Sequence, residues 1–301
     1  MTLRSVLNRI PSRPFIDDVI VYLTSVFYHR SLIFYFQRSL NSYMLRSKTR
    51  STDLRSYVDK IEAKGYIEER IGKDWVIPTL SVYDFDRNDS IPCGDWVFKS
   101  NNDFRGAIIC RDGELIDVKG VTFSETKKVG KDKSNIQASL EKFCNAKVED
   151  PTRITRETVY SEIRPQYFFE ELVISEHAKY CQEYKFHVVK GRVRFVYVVI
   201  DRLGRNKRGF LNRDAQQIDV IWCKPRDRKK FTDNTINEVS GNFDLMVRAA
   251  ETLAEPFKYV RIDFYDALTP KVGELTFFHG SGLEQIIPKN VDFEIGRELY
   301  E

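Results

Sequence analysis

The chain has 301 residues and a formal charge of +4 at pH 7. That length allows two or three lobes around a sizeable core, and the composition is that of an ordinary soluble mixed α/β protein. So mild a net charge selects no partner by itself, and five cysteines with no CxxC spacing exclude a disulfide framework and make a reducing cytoplasm the default.

The charge is uneven. Residues 1–58 hold nine Lys/Arg against three Asp/Glu, which suits an anionic membrane surface, an acidic polymer or simply a solvated surface. Residues 1–50 read as helices with basic links. The aromatic stretch Phe15 to Phe36 is interrupted by Asp17, Asp18, His29 and Arg30, so it is too broken to span a membrane. It reads as a buried helix in preference to an interfacial one. Asp53 is placed to cap a helix through Leu54, Val58 and Ile61 that ends at Gly72.

A short apolar piece follows at 79–83. Strands are expected at 95–99 and 106–110 with a polar loop between them, then a mobile loop over 119–134 and a helix near 136–144. Residues 165–173 read as another strand. Lys190-Gly191 turns a hairpin between 183 and 200 whose second strand is almost wholly apolar, hence central. Residues 202–235 form a long basic connection, and 244–253 an amphipathic helix with Leu245, Ala249 and Leu253 at spacing four.

The C-terminal forty residues carry the strongest chemical signal. Arg261-Ile-Asp263 lies in an alternating run from Tyr259 to Tyr265; Gly273-Glu274-Leu-Thr276 lies in a second short strand, 272–278. A turn joins them, so the pattern presents two carboxylates on adjacent strands. Such a pair is what Mg²⁺ uses when substrate phosphates supply its remaining ligands; two solvated acids on a hairpin fit the same residues. The four histidines show no zinc spacing, and His187 on an apolar strand reads as a buried structural residue.

Four segments taken in order resemble the ATP-grasp superfamily, in particular its TupA-like branch of polysaccharide-modifying ligases. They are Asp59-Lys60-Ile-Glu-Ala-Lys64; Trp96-Val-Phe-Lys99; Phe169-Glu170-Glu171-Leu172 with Glu183-Tyr184-Lys185; and the terminal hairpin followed by Gly280-Ser281-Gly282 and Pro288. The resemblance implies an α+β ATP-grasp fold that holds a nucleotide between two α+β lobes, at 57–170 and 171–301, behind a short basic helical region at 1–56. It implies Lys99 and Lys64 as phosphate-contacting lysines, Glu170, Glu171 and Leu172 as a hinge beside adenine, and Glu183 on ribose. It implies Mg²⁺ on Asp263 and Glu274, with Thr276 where most of the superfamily has Asn. Arg261 and the backbone at Gly280 would then serve an acyl-phosphate or its adduct, while Lys185 and Arg202, cations that bracket the hairpin, would neutralise phosphate or bind a substrate carboxylate. The phosphate loop departs from the family's Gly/Ser-rich pattern, with Asn101-Asn-Asp-Phe-Arg-Gly106 in its place.

The activity so implied is an ATP- and Mg²⁺-dependent carboxylate–amine ligase, joining an amino acid or similar amine to a uronic-acid carboxylate of a surface polysaccharide or its precursor. It would work in the cytoplasm, with peripheral contact at the inner membrane face and no nucleic-acid partner. Two alternatives fit the same residues: an ATP-grasp phosphotransferase acting on a sugar hydroxyl, and a polyanion-binding protein that uses the basic 202–230 run. Oligomeric state stays open.

Overall fold

The structure is a computed structural model. It describes residues 10–84, 90–102, 106–119, 136–145, 152, 155–161, 163–174, 181–200, 207–224 and 235–301. The fold is α+β, built on two five-stranded antiparallel sheets.

Helix α1 (Pro14–His29) starts on a proline, whose missing N–H costs nothing in a first turn, and ends at Arg30 in a left-handed conformation (φ 52°). A 3-10 turn (Phe34–Phe36) leads to α2 (Leu40–Ser47), where the Ser39 hydroxyl accepts the N–H of Ser42 at 3.1 Å. One face of α1 is buried. The other is not: Phe15, Leu23 and Phe27 point outward, so the expectation of a buried helix holds for half of it. No helix among the described residues is long and apolar enough to cross a membrane.

The single helix expected from Asp53 to Gly72 is two, α3 (Arg55–Val58) and α4 (Glu62–Ile71). The break has a local cause. The Asp59 carboxylate takes the N–H groups of Ile61 and Glu62 at 2.8 and 3.2 Å, so Asp59 rather than Asp53 caps the second helix.

The first sheet runs in the order β1 (Thr79–Tyr83), β5 (Tyr167–Glu171), β2 (Trp96–Ser100), β3 (Ala107–Arg111), β4 (Glu114–Lys119). Trp96, Phe98 and Phe169 pack with Leu140 and Phe143 of α5 (Ile136–Asn145) on one face. Strand β4 occupies residues to which the sequence reading assigned no element, apart from Lys119 at the start of the expected loop; Asp112-Gly113, with φ 53° and 78°, makes the tight turn into it. Residues 120–135, where the mobile loop was expected, lie outside the described residues.

The second sheet runs β11 (Lys271–Thr276), β10 (Tyr259–Tyr265), β6 (Glu183–Val189), β7 (Arg192–Ile200), β8 (Lys207–Leu211). Helix α6 (Phe243–Ala254) covers the face that carries Phe186, Val188, Val260 and Ile262. The basic connection therefore contains a strand, β8, and a second short one, β9 (Ile221–Cys223), which pairs with β12 (Gln285–Ile287). A charged edge strand hides from a hydrophobic-period reading because Lys and Arg suit an edge that must not pair further.

The N-terminal helices are sewn to the C-terminus. Asn41 donates its backbone and side-chain N–H groups to Asp292 of α7 (Lys289–Glu298) at 2.9 and 3.2 Å. His29 meets the Gly282 carbonyl at 2.9 Å. A Cβ on Gly296 would collide with the backbone of Ser39, so only glycine permits this closeness.

Candidate nucleotide and metal site

Two polar sheet faces supply the site. In the second sheet, successive residues alternate faces, so Tyr184 and Phe186 go to the α6 core while Glu183, Lys185 and His187 go to the other side. Arg261 and Asp263 of β10 join them there, as do Glu274 and Thr276 of β11. Asp263 is the register partner of both Glu274 and Lys185.

The result is a dense ionic cluster. Arg261 donates Nε and Nη2 to the two Asp263 oxygens at 2.6 and 2.8 Å, and Nη2 also to Glu274 Oε1 at 2.7 Å. Lys185 pairs with Asp263, and with Glu183 at 2.9 Å. Thr276 Oγ1 donates to Glu274 Oε1 at 3.3 Å. Burial opposes ionisation of Glu274, yet Arg261, Lys60, Lys185 and Lys99 together hold its carboxyl below the usual carboxylate range. Burial likewise disfavours the Lys185 and Arg261 charges, but the neighbouring carboxylates, Asp263 first among them, together outweigh it and both stay cationic. Three carboxylates, Glu183, Asp263 and Glu274, gather here with Arg261 and Lys185, and Lys60 also acts on Glu274.

In the first sheet, Lys99 of β2 and Glu170 of β5 lie on the face opposite the Trp96–Phe169 core. Lys99 pairs with Glu170, and Lys64 of α4 reaches the same carboxylate at 3.1 Å. Lys64 also donates to Thr79 Oγ1 at 2.7 Å and sits over the Phe168 ring. Two cations share one carboxylate, so this end carries one positive charge in excess. Burial pulls the Lys64 amine down while Glu170 partly restores it; Glu170 itself is held low by Lys99 and Lys64 against burial. The Lys99 charge is felt at Glu274, which brings the two sheet faces into one electrostatic site.

The remaining expected residues are distributed as follows. Glu171 is exposed at the end of β5, its N–H bound to the Pro78 carbonyl at 3.1 Å, and Leu172 follows it half-buried. Glu183 holds Lys185. Arg202 lies outside the described residues. His187 is buried with Nδ1 against the Tyr259 hydroxyl at 2.9 Å, and burial, His279 and Arg261 keep it neutral. Gly280, Ser281 and Gly282 are all left-handed, with φ 56°, 59° and 70°. A Cβ on Gly280 would run into Glu284, and one on Gly282 into Asn41 and Leu45.

Residues that the sequence reading missed complete the site. His279 accepts from Arg261 and so ties the glycine turn to the carboxylate cluster. Lys48 donates to the Ser281 carbonyl and hydroxyl at 3.0 and 2.8 Å. Its signal was present: Lys48 continues the Leu40, Met44 spacing and therefore lies on the buried stripe of α2.

The donor set fits Mg²⁺. Two carboxylates on opposed strands and a hydroxyl offer hard oxygen ligands, and Mg²⁺ is usually held by one or two carboxylates with phosphates and water completing its shell. Among the described residues there is no cluster of three or more His, Cys, Asp or Glu that would form an all-protein metal site.

A fold of two antiparallel sheets that turn lysines and paired carboxylates toward one site is of the ATP-grasp class. The family described as TupA-like ATPgrasp matches residues 38–300, and the chain belongs to that family. Among solved structures, ATP-grasp ligase PsnB complexed with minimal precursor is similar at 13% identity and a TM-score of 0.37, over 84% of this chain and 62% of that one. PsnB with minimal precursor, Mg and ADP is 12% identical at a TM-score of 0.38, over 87% and 67%. PsnB with precursor peptide PsnA2 and AMPPNP is 12% identical at 0.38, over 97% and 76%. The chain thus spans roughly two thirds of the length of these proteins, and under two thirds of the first. No curated protein matches the sequence.

Proposed function

We propose that the protein is an ATP-dependent carboxylate–amine ligase. The observation that carries this reading is the pairing of a cation-rich end, Lys64 and Lys99 on Glu170, with a carboxylate-rich end, Asp263 and Glu274 under Arg261, within one buried site.

ATP phosphates replace Glu170 as the partners of Lys99 and Lys64, which are already cationic and directed into the site. Asp263 and Glu274, with Thr276, would hold Mg²⁺, and the metal would supply positive charge to screen the phosphates. The substrate carboxylate attacks the γ-phosphorus; an acyl-phosphate forms and ADP leaves. The amine nitrogen then adds to the acyl carbon, loses a proton and expels phosphate, leaving an amide. Arg261 faces that centre and stabilises the charge that develops on the acyl oxygen, with the backbone of the Gly280 turn beside it. Lys185 keeps Asp263 in place, and Arg202 is the proposed partner of a phosphate or of the substrate carboxylate. The hinge residues Glu171 and Leu172 line adenine, and Glu183 turns to the ribose. The protein orients groups and screens charge; it needs no nucleophile of its own. Neutral, buried His187 is consistent with that.

The acceptor we propose is a uronic-acid carboxylate of a surface polysaccharide or precursor, and the donor an amino acid or similar amine, in the cytoplasm. Among the described residues of the basic run, Arg213 is engaged bidentately by Glu251 and Arg208 stacks on Tyr197, so these two are already occupied and lend the polyanion-binding alternative no support. The test is ADP formation with ATP and Mg²⁺ across uronic-acid glycans and amino acids, with Asp263→Asn and Glu274→Gln as controls. ADP that requires both a carboxylate and an amine supports the ligase. ADP with a hydroxyl acceptor alone replaces it with a phosphotransferase.

A further inference from the structure

Helix α1 carries apolar side chains on two faces. Its inward face buries Ile20 and Val21 together with the polar Asp17, Ser25 and His29. Asp17 is buried against Arg156 at 2.7 Å, and His29 is buried against Gly282 at 2.9 Å and stacked on Phe34. Asp18 accepts from Thr49 at 2.8 Å and pairs with Arg50. A second set of large apolar side chains, on the other face of the helix and in the turn after it, points outward. Phe15, Leu23, Phe27, Leu32, Ile33 and Phe36 are each between 59% and 79% exposed. The first three recur at four- and eight-residue spacing and form one stripe. Phe36 lies against Tyr22, ring centroids 5.7 Å apart, which sets the turn after α1 beside that stripe. A soluble surface rarely shows so continuous an apolar patch without a use for it.

The rim decides what covers it. Arg13 precedes the helix, Arg30 ends it and Arg38 follows the turn; all three are exposed. Among the described residues none of the three is paired with an acid. Both acids of the helix are already engaged, as above. The rim therefore carries one sign. A second copy would bring arginines against arginines, whereas an anionic surface would meet apolar side chains with its acyl region and arginines with its headgroups.

We propose that the outward face of α1 and the turn after it form a docking surface for an anionic lipid bilayer. The contact is peripheral, since the helix is tied to the protein along its other face. It is independent of the proposed reaction: vesicle binding needs no ATP and survives failure of the ligase reading.

The experiment is flotation of the full chain with vesicles of phosphatidylcholine alone or mixed with phosphatidylglycerol. The wild-type chain floats with the mixed vesicles and much less with phosphatidylcholine, and added salt weakens the binding. The triple variant Phe15→Ser/Leu23→Ser/Phe27→Ser stays in solution. Arg13→Gln/Arg30→Gln, which leaves the apolar stripe and the fold untouched, loses about thirtyfold in partitioning, from about 1 kcal/mol per basic residue. A wild-type chain that ignores mixed vesicles overturns the proposal, and so does an arginine variant that binds as the wild type does. Self-association by sedimentation velocity that the triple variant abolishes, with no vesicle binding, assigns the face to a second copy instead.

Discussion

Lys48 donates to both the backbone carbonyl and the hydroxyl of Ser281, 233 residues further along the chain. Ser281 is a non-glycine residue in the left-handed region, a conformation that costs roughly 1–2 kcal/mol and needs outside support. Glu157 supplies more of that support, since its buried carboxyl also bonds to Ser281. Burial lowers the Lys48 amine to about 8, with Glu157 opposing the fall. The two side chains thus fix the turn that presents Gly280 to the site. Lys48→Met strands the Glu157 carboxyl, and we expect a loss of about 3–5 kcal/mol in urea unfolding. Lys48→Met/Glu157→Gln recovers part of that loss, because no buried charge is left alone. An additive double variant would falsify the coupling.

Asp263 and Glu274 should separate in stability while agreeing in activity. Asp263 is bound by Arg261 and Lys185 and is 5% exposed, whereas the Glu274 side chain is about one-third exposed. Asp263→Asn leaves two buried cations short of a partner and costs about 3–5 kcal/mol. Glu274→Gln keeps a hydrogen-bond acceptor at a wetter position and costs about 1 kcal/mol. Both lower ADP formation by at least about a hundredfold if the pair holds Mg²⁺. Thermal unfolding beside an ADP assay reads both, and equal destabilisation would remove the distinction drawn between the two sites.

Glu170 occupies the position that phosphates are proposed to take on Lys64 and Lys99. Glu170→Gln should therefore lower the melting temperature of the free protein, since two buried lysines lose their shared anion. ATP with Mg²⁺ should restore more of it than it adds to the wild type, because ligand binding to the folded state alone stabilises by mass action. The comparison is two melting temperatures for each chain. A smaller ATP shift in the variant would mean that Glu170 contacts the nucleotide instead of holding its place.

What the sequence made legible follows from the range of each interaction. The Tyr259–Tyr265 strand and its partner were visible because period-two alternation is local, and alternation alone puts Arg261 and Asp263 on one face. The opposition of Asp263 to Glu274 required only a short turn. Strand β4 went unassigned although Asp112-Gly113 carries a turn signal just before it. Lys48 was not assigned although its spacing from Leu40 and Met44 marks the buried stripe, because the partner that gives it meaning is 233 residues distant. Asp59 was masked by Asp53, an equally good cap six residues earlier. The outward apolar face of α1 was misassigned because periodicity locates a stripe but does not say which side the protein covers; buried Arg156 takes Asp17 and decides it.

His29 and Asp292 flank the same N- to C-terminal junction and titrate in opposite senses. Burial lowers His29 to about 4, with the Gly282 hydrogen bond opposing. The unfolded chain holds that proton up to about 6.5, so between those values it binds more protons than the folded chain. The His29 contribution is therefore present above pH 6.5 and lost as pH falls through 4. Burial raises Asp292 to about 6, with the Asn41 hydrogen bonds opposing. Here the folded chain binds more protons between about 4 and 6, so that contribution is present at low pH and lost as pH rises through 6. Each is worth about 3 kcal/mol across its window, and in the wild type they largely offset. Asp292→Asn should leave stability rising from pH 4 to 6.5, and His29→Gln should leave it falling. Urea midpoints measured at four or five pH values decide the matter; parallel profiles for the two variants would show that neither group titrates as its burial implies.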